Sequence, residues 1–331
     1  MIIEQHGCAT LGAPAARSGA NLSPPRLDKL PQIRCHERHR HGTFIYTCAV
    51  EAIVTRHVRD FARMEKPMTV LTVERRDAVE IVTLNRPEVL NAISPELAER
   101  LSSYFQELAG RLDVRVVLLR GAGRAFCAGA DLGSAAFDQE GPGQVQRRMA
   151  LQRLYSGIVR AMRACPQPII TLIHGAAAGG GFSLALAADV RIVSPDARMN
   201  GAFLRVGLGG CDMGSGYFLP RLVGHSLASE LLMTGNFINA ERALATGLVS
   251  RIVPADELVE AGLSLASDML RASPMGLRMT KEMLNQVIDA PSLEAELVME
   301  DRQQVVLLGT RDHMEAVAAF REKRNPVYRD Q

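Results

Sequence analysis

The spacing of apolar residues changes character several times along this chain, and each change predicts an element. From Thr69, TVLTVERRDAVEIVTLN carries two short apolar runs around a polar break at Arg75 to Asp77, which predicts two strands joined by a turn. In SPELAERLSSYFQELAGRL, Leu97, Leu101, Tyr104, Phe105 and Leu108 recur at helical spacing, with Ser94 placed to cap and Pro95 at the first helical position. VRVVLLRG, ending at Gly121, is a continuous apolar run, as expected for a strand in a sheet covered on both faces. The alternation repeats with a helix near Gln146 to Cys165, the strand PIITLIHG, an Ala/Leu-rich helix that starts in glycines, and the strand VRIVS. From about Asp256 onward MGLRMTKEMLN, SLEAELVMEDRQQVVLLG and DHMEAVAAFREKR all read as helices. The pattern predicts an α/β core over residues 68–255 and a helical C-terminal region over 256–331.

Residues 1–67 break this regularity. GAPAARSGANLSPPRLDKLP is loop-like, and HERHRHG gathers His36, His39 and His41 among basic residues without a carboxylate or cysteine pattern that would fix a metal geometry. The segment reads as a disordered extension or a start assigned too early, with Met68 a natural beginning; a basic targeting presequence is the weaker alternative. Its ten Lys and Arg against six Asp and Glu also account for more than the chain's net charge of +2, leaving the remainder slightly acidic and without a nucleic-acid footprint. With 331 residues and 47% hydrophobic content, the chain can bury one substantial core. Cys8, Cys35, Cys48, Cys127, Cys165 and Cys211 show no metal or disulfide spacing, which suits a cytoplasmic location. No apolar run long enough to span a membrane is visible.

Candidate chemistry begins with GAAAGGGFSLALAAD, residues 175–189. Glycine inside a helix costs roughly 1 kcal/mol against alanine, so Gly179, Gly180 and Gly181 at a helix mouth imply a close approach to the backbone. The first turn of a helix offers unpaired N–H groups at the positive end of its dipole. A second glycine-containing turn, AFCAGADL (Ala125 to Leu132), follows the preceding strand, so both turns can aim amides at one point. Two converging amides make an oxyanion hole.

NRPEVLNAIS, AFCAGADL, the glycine run at 175–181, LPRLVG and FREKRNP occur together, in this order and spacing. In these motifs the chain from Met68 to Tyr328 resembles the crotonase, or enoyl-CoA hydratase/isomerase, superfamily. The resemblance implies a crotonase-like spiral of ββα units, a homotrimer or dimer of trimers, and an acyl-CoA or enoyl-CoA thioester substrate, with no separate cofactor and no metal. Carried over by motif, the oxyanion amides fall on Ala130 and Gly180, and Ala128, Asp131, Leu132 and Lys323 fall where coenzyme A is held. Asp131 has an alternative as a turn-ordering residue, Lys323 as a surface charge. GSAAFDQEGPGQ (Gly133 to Gln144) reads as a lid over the acyl chain or an ordinary surface loop.

The sequence departs from the hydratase pattern at both acid positions. Where hydratases carry two glutamates, this chain has Ser183 and, by alignment of MNGAFLRVGL, Phe203. One carboxylate, Asp212 in GLGGCDMGSG, stands in the loop where dienoyl-CoA isomerases, chlorobenzoyl-CoA dehalogenase and naphthoyl-CoA synthases place an aspartate; a turn-capping role is its alternative. One carboxylate beside an oxyanion hole can carry a proton between carbons. The departures predict isomerase-type proton transfer by Asp212, with a non-catalytic acyl-CoA binder as the second reading. A third reading, thioesterase, takes Ser183 in GFSLA as a nucleophile with Asp212 and His225 or His313; against it, Ala185 fills the second glycine position of GxSxG. A nucleotide site is weaker still, because GLGGCD lacks the third glycine of the dinucleotide fingerprint and no GK[ST] follows a glycine run.

Overall fold

The computed structural model describes residues 69–137 and 140–331. The expectations for residues 1–67, including the basic histidine cluster and Met68 as a start, lie outside the described residues.

The two predicted strands form an antiparallel hairpin, β1 (Leu71–Arg76) and β2 (Val79–Leu84), turned at Asp77, which takes a positive φ of 55°. β2 then pairs in parallel with β3 (Val116–Gly121), and the parallel ladder continues through β4 (Ile169–Ile173), β6 (Val190–Val193) and β9 (Arg251–Ile252). Together they make a six-stranded sheet in the order β1-β2-β3-β4-β6-β9. Parallel strands need long crossovers, and helices supply them. Between β2 and β3 lies α1 (Pro95–Glu107), between β3 and β4 lies α2 (Gln144–Ala164), and between β4 and β6 lies α3 (Gly180–Ala187). α1 starts as its sequence requires: the Ser94 hydroxyl accepts from Leu97 N–H, a cap worth about 1 kcal/mol.

The continuous apolar runs are explained by burial on both faces. Val117, Leu119, Ile169, Ile173 and Val193 point toward α1, α2 and α3, forming the larger core with Leu101, Phe105, Ile158, Met162 and Phe182. The alternate residues Val116, Leu118, Ile170, Leu172 and Ile192 point to the other side, against Leu258 and Ala266 of α7 (Leu258–Leu270). A strand with two dry faces has no reason to alternate.

A second sheet, of three strands in the order β5-β7-β8, stands beside the first: β5 (Ala176–Ala178), β7 (Arg198–Asn200) and β8 (Ile238–Asn239). Periodicity gave no sign of it, because strands this short with no β-branched run are defined by their pairing alone. After β7 come two helices, α4 (Ser215–Val223) and α5 (His225–Thr234), and α6 (Ala240–Ala245) leads to β9. The C-terminal region is helical as expected, with α8 (Pro274–Val287), α9 (Leu293–Leu308) and α10 (Arg311–Glu322).

Candidate active site

The segments that follow the C-terminal ends of β3 and β4 lie side by side, where ligands bind in parallel sheets. The β3 segment is held by Asn91, from NRPEVLNAIS. Its buried side chain accepts from Arg86 N–H at 2.9 Å and donates to the carbonyls of Ala122 and Ala125, both at 2.8 Å. Cys127 in turn donates its thiol to the Asn91 carbonyl at 3.1 Å. One side chain therefore ties the loop before α1 to the loop after β3.

Beyond that anchor the chain lines up residue by residue. Cys127 pairs with Ala177 of β5, and Ile93 pairs with Ala130, both as parallel bridges. In the second bridge Ile93 donates to Gly129 O at 2.7 Å and accepts from Asp131 N–H at 3.0 Å. The groups flanking Ala130 are thus used up on one side, and the Ala130 N–H faces the other. Gly129 reaches this geometry at a φ of 98°, and a Cβ there would lie 2.8 Å from Ala178 O and 3.3 Å from Gly180 N. Only glycine lets the two segments touch.

On the β4 side, Gly179 has a φ of 51° and its N–H bonds to Asn200 O at 2.9 Å. α3 then begins, with Ser183 N–H giving the first intrahelical bond to Gly179 O at 3.0 Å. Gly180, as the first helical residue, has no intrahelical acceptor for its N–H. Among the described residues, neither the Ala130 nor the Gly180 N–H has a protein acceptor, and both residues line the same cavity of about 120 Å³. The far end of α3 is fixed by Arg191, whose buried guanidinium donates to Ala185 O, Ala188 O and Leu248 O. Burial pushes that guanidinium down to about 10, and the carbonyls at the negative end of the helix dipole hold its charge.

Asp212 enters the same cavity from the loop before α4. Its backbone is pinned on three sides: Asp212 N–H donates to Ser215 Oγ at 3.1 Å, while Asp212 O accepts from Ser215 N–H and from Ser183 Oγ, both at 3.0 Å. The carboxylate Oδ1 accepts from Met213 N–H at 2.6 Å and from Gln152 Nε2 of α2 at 2.5 Å. Oδ2 has no hydrogen-bond partner among the described residues. The rest of the lining is mostly apolar: Ile93, Leu132, Phe137, Phe203, Val206, Leu208 and Met213.

Of the residues singled out in the sequence, Ala130, Gly180, Asp212, Ala128 and Leu132 meet at this cavity. Asp131 points elsewhere, into an ion pair with Arg86 at 2.8 Å in which both side chains are less than a fifth exposed. Lys323 lies outside the cavity lining, in left-handed conformation at the end of α10. Ser183 is fully buried and spends its hydroxyl proton on the Asp212 carbonyl; among the described hydrogen bonds no imidazole approaches it. The hydrolase arrangement of Ser183 with His225 or His313 does not form. Phe203 is buried in the cavity wall. Sequence reasoning missed Gln152 and Tyr155, which reach the cavity from α2; their helical spacing of three is the only signal, and it does not distinguish a site from a core face.

The chain is similar to known proteins over most of its length. Residues 74–331 match the family described as enoyl-CoA hydratase/isomerase. The chain is 38% identical over 264 residues to the probable enoyl-CoA hydratase EchA12 of Mycobacterium tuberculosis, covering 79% of this chain and 93% of that protein. It is 34% identical over 250 residues to the 1,2-epoxyphenylacetyl-CoA isomerase of Escherichia coli K12, covering 76% and 94% respectively. The crystal structure of an enoyl-CoA hydratase from Bacillus anthracis superimposes with a TM-score of 0.74 at 32% identity, covering 79% of this chain and all of that one.

Proposed function

The chain belongs to the enoyl-CoA hydratase/isomerase family, and from that premise we propose that it shifts a proton along the acyl group of an enoyl-CoA, with Asp212 as the single acid-base group and the N–H groups of Ala130 and Gly180 as the oxyanion hole. The observation that carries the reading is the meeting, at one cavity, of one carboxylate and two main-chain N–H donors unpaired among the described residues, with Phe203 in the cavity wall and Ser183 buried outside its lining where the hydratases carry their two glutamates.

In this mechanism the thioester carbonyl oxygen lies against the two amides. Asp212 Oδ2 takes a proton from the α-carbon, the electron pair of that C–H bond moves into the enolate, and the oxygen becomes negative. The two donors are already aimed at it, so little reorganisation is needed; one such donor contributes roughly a hundred- to a thousandfold in rate. The protonated carboxyl then delivers its proton to the γ-carbon of the dienolate, and the double bond has moved. The hydrogen bonds from Gln152 and Met213 to Oδ1 orient the carboxylate so that Oδ2 faces the substrate. Proton and electron pair both stay within the substrate and Asp212, so the step calls for neither a metal nor a redox cofactor. The relatives named above include both a probable hydratase and an isomerase, so the preference for rearrangement over hydration rests on the single carboxylate.

Ala128 and Leu132, at the cavity, are assigned to the acyl-CoA; Asp131 is assigned to ordering the turn through Arg86, and Lys323 to a site formed outside this cavity. A homotrimer or dimer of trimers is supported by the exposed apolar side chains Leu293, Val305, Leu308 and Phe320 on α9 and α10. No helix among the described residues is long and apolar enough to cross a membrane. We assign the protein to the cytoplasm on its cysteines, which show no disulfide spacing in the sequence.

Asp212→Asn tests the reading. Isomerisation of a 3-enoyl-CoA is expected to fall roughly a hundred- to ten-thousandfold while binding of the CoA thioester persists. Undiminished turnover in the variant would refute the assignment, and binding without turnover in the wild type would favour an acyl-CoA carrier.

A further inference from the structure

We infer that the phenolic hydroxyl of Tyr155 receives an oxygen carried on the acyl group, so that this cavity selects an oxygen-bearing acyl-CoA over its plain hydrocarbon counterpart. The inference rests on the reading that the acyl group occupies the cavity beside Asp212.

Tyr155 is only 4% exposed, it lines the cavity, and its Oη is buried with no hydrogen-bond partner among the described residues. Buried hydroxyls are almost always paired, and an orphaned one calls for an explanation. The ring is not free to turn its hydroxyl away: it stacks on Phe137 at 6.3 Å between centroids and 13° between planes, and it is packed into the larger core from α2. Burial, reinforced by the Asp131 carboxylate and opposed by Arg86, raises the phenol above its ordinary range. The group is therefore a neutral O–H, able to donate, throughout the physiological range.

The surroundings narrow what it can donate to. Among the described residues, the polar side chains lining the cavity are Gln152, Tyr155 and Asp212, and the first of these already donates to the third. A purely aliphatic acyl chain would satisfy the apolar wall and leave Tyr155 Oη unpaired on binding, with water excluded. A hydroxyl, carbonyl or epoxide oxygen on the acyl group would accept from it. Sites that hold a buried donor for a substrate oxygen discriminate strongly against the analogue lacking that oxygen, because the donor is then stranded.

The test is a set of four-carbon thioesters: butyryl-, 3-hydroxybutyryl-, 4-hydroxybutyryl- and acetoacetyl-CoA, titrated calorimetrically into wild type and Tyr155→Phe. At least one oxygenated ligand is expected to bind the wild type about tenfold more tightly than butyryl-CoA, with the preference falling below about twofold in the variant. Butyryl-CoA affinity and the thermal midpoint should be unchanged or higher in Tyr155→Phe, since the lost hydroxyl had no partner. Equal binding of all four ligands by the wild type, or a preference that survives in the variant, would overturn the inference while leaving the role of Asp212 intact. Failure of every ligand to bind the wild type would overturn both. Loss of isomerisation in Asp212→Asn bears on the acid-base reading alone.

Discussion

Asn91 offers the sharpest calculation, because a single side chain joins the two loops on which the site depends. Replacing it with alanine strands three main-chain groups: the Arg86 N–H and the carbonyls of Ala122 and Ala125. A buried group left unpaired costs about 1–3 kcal/mol, and two of these three bonds are only partly buried, so the low end applies to them. Asn91 also sits at a φ of 56°, where asparagine is tolerated better than alanine and the difference adds up to about 1 kcal/mol. The sum is about 3–6 kcal/mol against a typical total of about 5–15 kcal/mol. At about 2–4 °C per kcal/mol for a domain of this size, the thermal midpoint should fall by roughly 6–24 °C. Circular dichroism melts read that shift. Activity of the fraction still folded at low temperature reads the second consequence: the segment carrying Ala128 to Ala130 is released, and turnover should drop at least tenfold, since a displacement of about 1 Å can cost about a hundredfold. Asn91→Asp keeps the acceptor for Arg86 but sets a carboxylate oxygen against two carbonyls, so at neutral pH it should be at least as unstable. Its stability should recover as pH falls and the carboxyl regains a proton to donate. A midpoint within about 3 °C of wild type for Asn91→Ala, with full turnover, would refute the reasoning.

Neighbouring glycines should behave oppositely. A Cβ on Gly181 would lie 2.2 Å from Cys127 O and 2.7 Å from Cys127 Cβ, so Gly181→Ala is expected to lower the thermal midpoint sharply or abolish soluble expression. A Cβ on Gly180 would meet only Ile93 Cδ1 and Met213 Sδ, both at 3.2 Å and both ends of flexible side chains, yet it would stand 3.8 Å from the Ala130 amide. Gly180→Ala should therefore fold with a near-normal melt but lose turnover, and a fully active Gly180→Ala would contradict the oxyanion assignment. Burial raises the Cys127 thiol from 9.0 to about 12 and also raises Cys165, so the folded state holds their protons where the unfolded chain would release them. Stability from this source is complete below pH 9 and is lost as pH rises toward about 12, measurable as a falling denaturation midpoint on alkaline titration. Alkylation mapped by mass spectrometry at mild pH should mark the exposed Cys211 and spare Cys127 and Cys165 until the protein unfolds.

The apolar pattern alone determined the parallel-sheet core: VRVVLLRG and PIITLIHG are unbroken because β3 and β4 are dry on both faces, a local signal that survives any tertiary detail. Ser94-Pro95 likewise set the start of α1 without help from the rest of the chain. The glycine run and AFCAGADL indicated where backbone donors could converge, since glycine at a helix mouth has a local cost that a close approach explains. Three features needed the folded chain. The second sheet exists only through pairing between residues about twenty to forty positions apart, and its strands are too short to carry a period. The ion pair of Asp131 with Arg86, and the use of the Ser183 hydroxyl on the Asp212 carbonyl, depend on which groups lie within 3 Å in space. Tyr155 and Gln152 look, in sequence, like any helix face turned to a core. That one carries an unpaired hydroxyl and the other a bond to Asp212 follows from the cavity they border, and a cavity is a property of packing that no local pattern encodes.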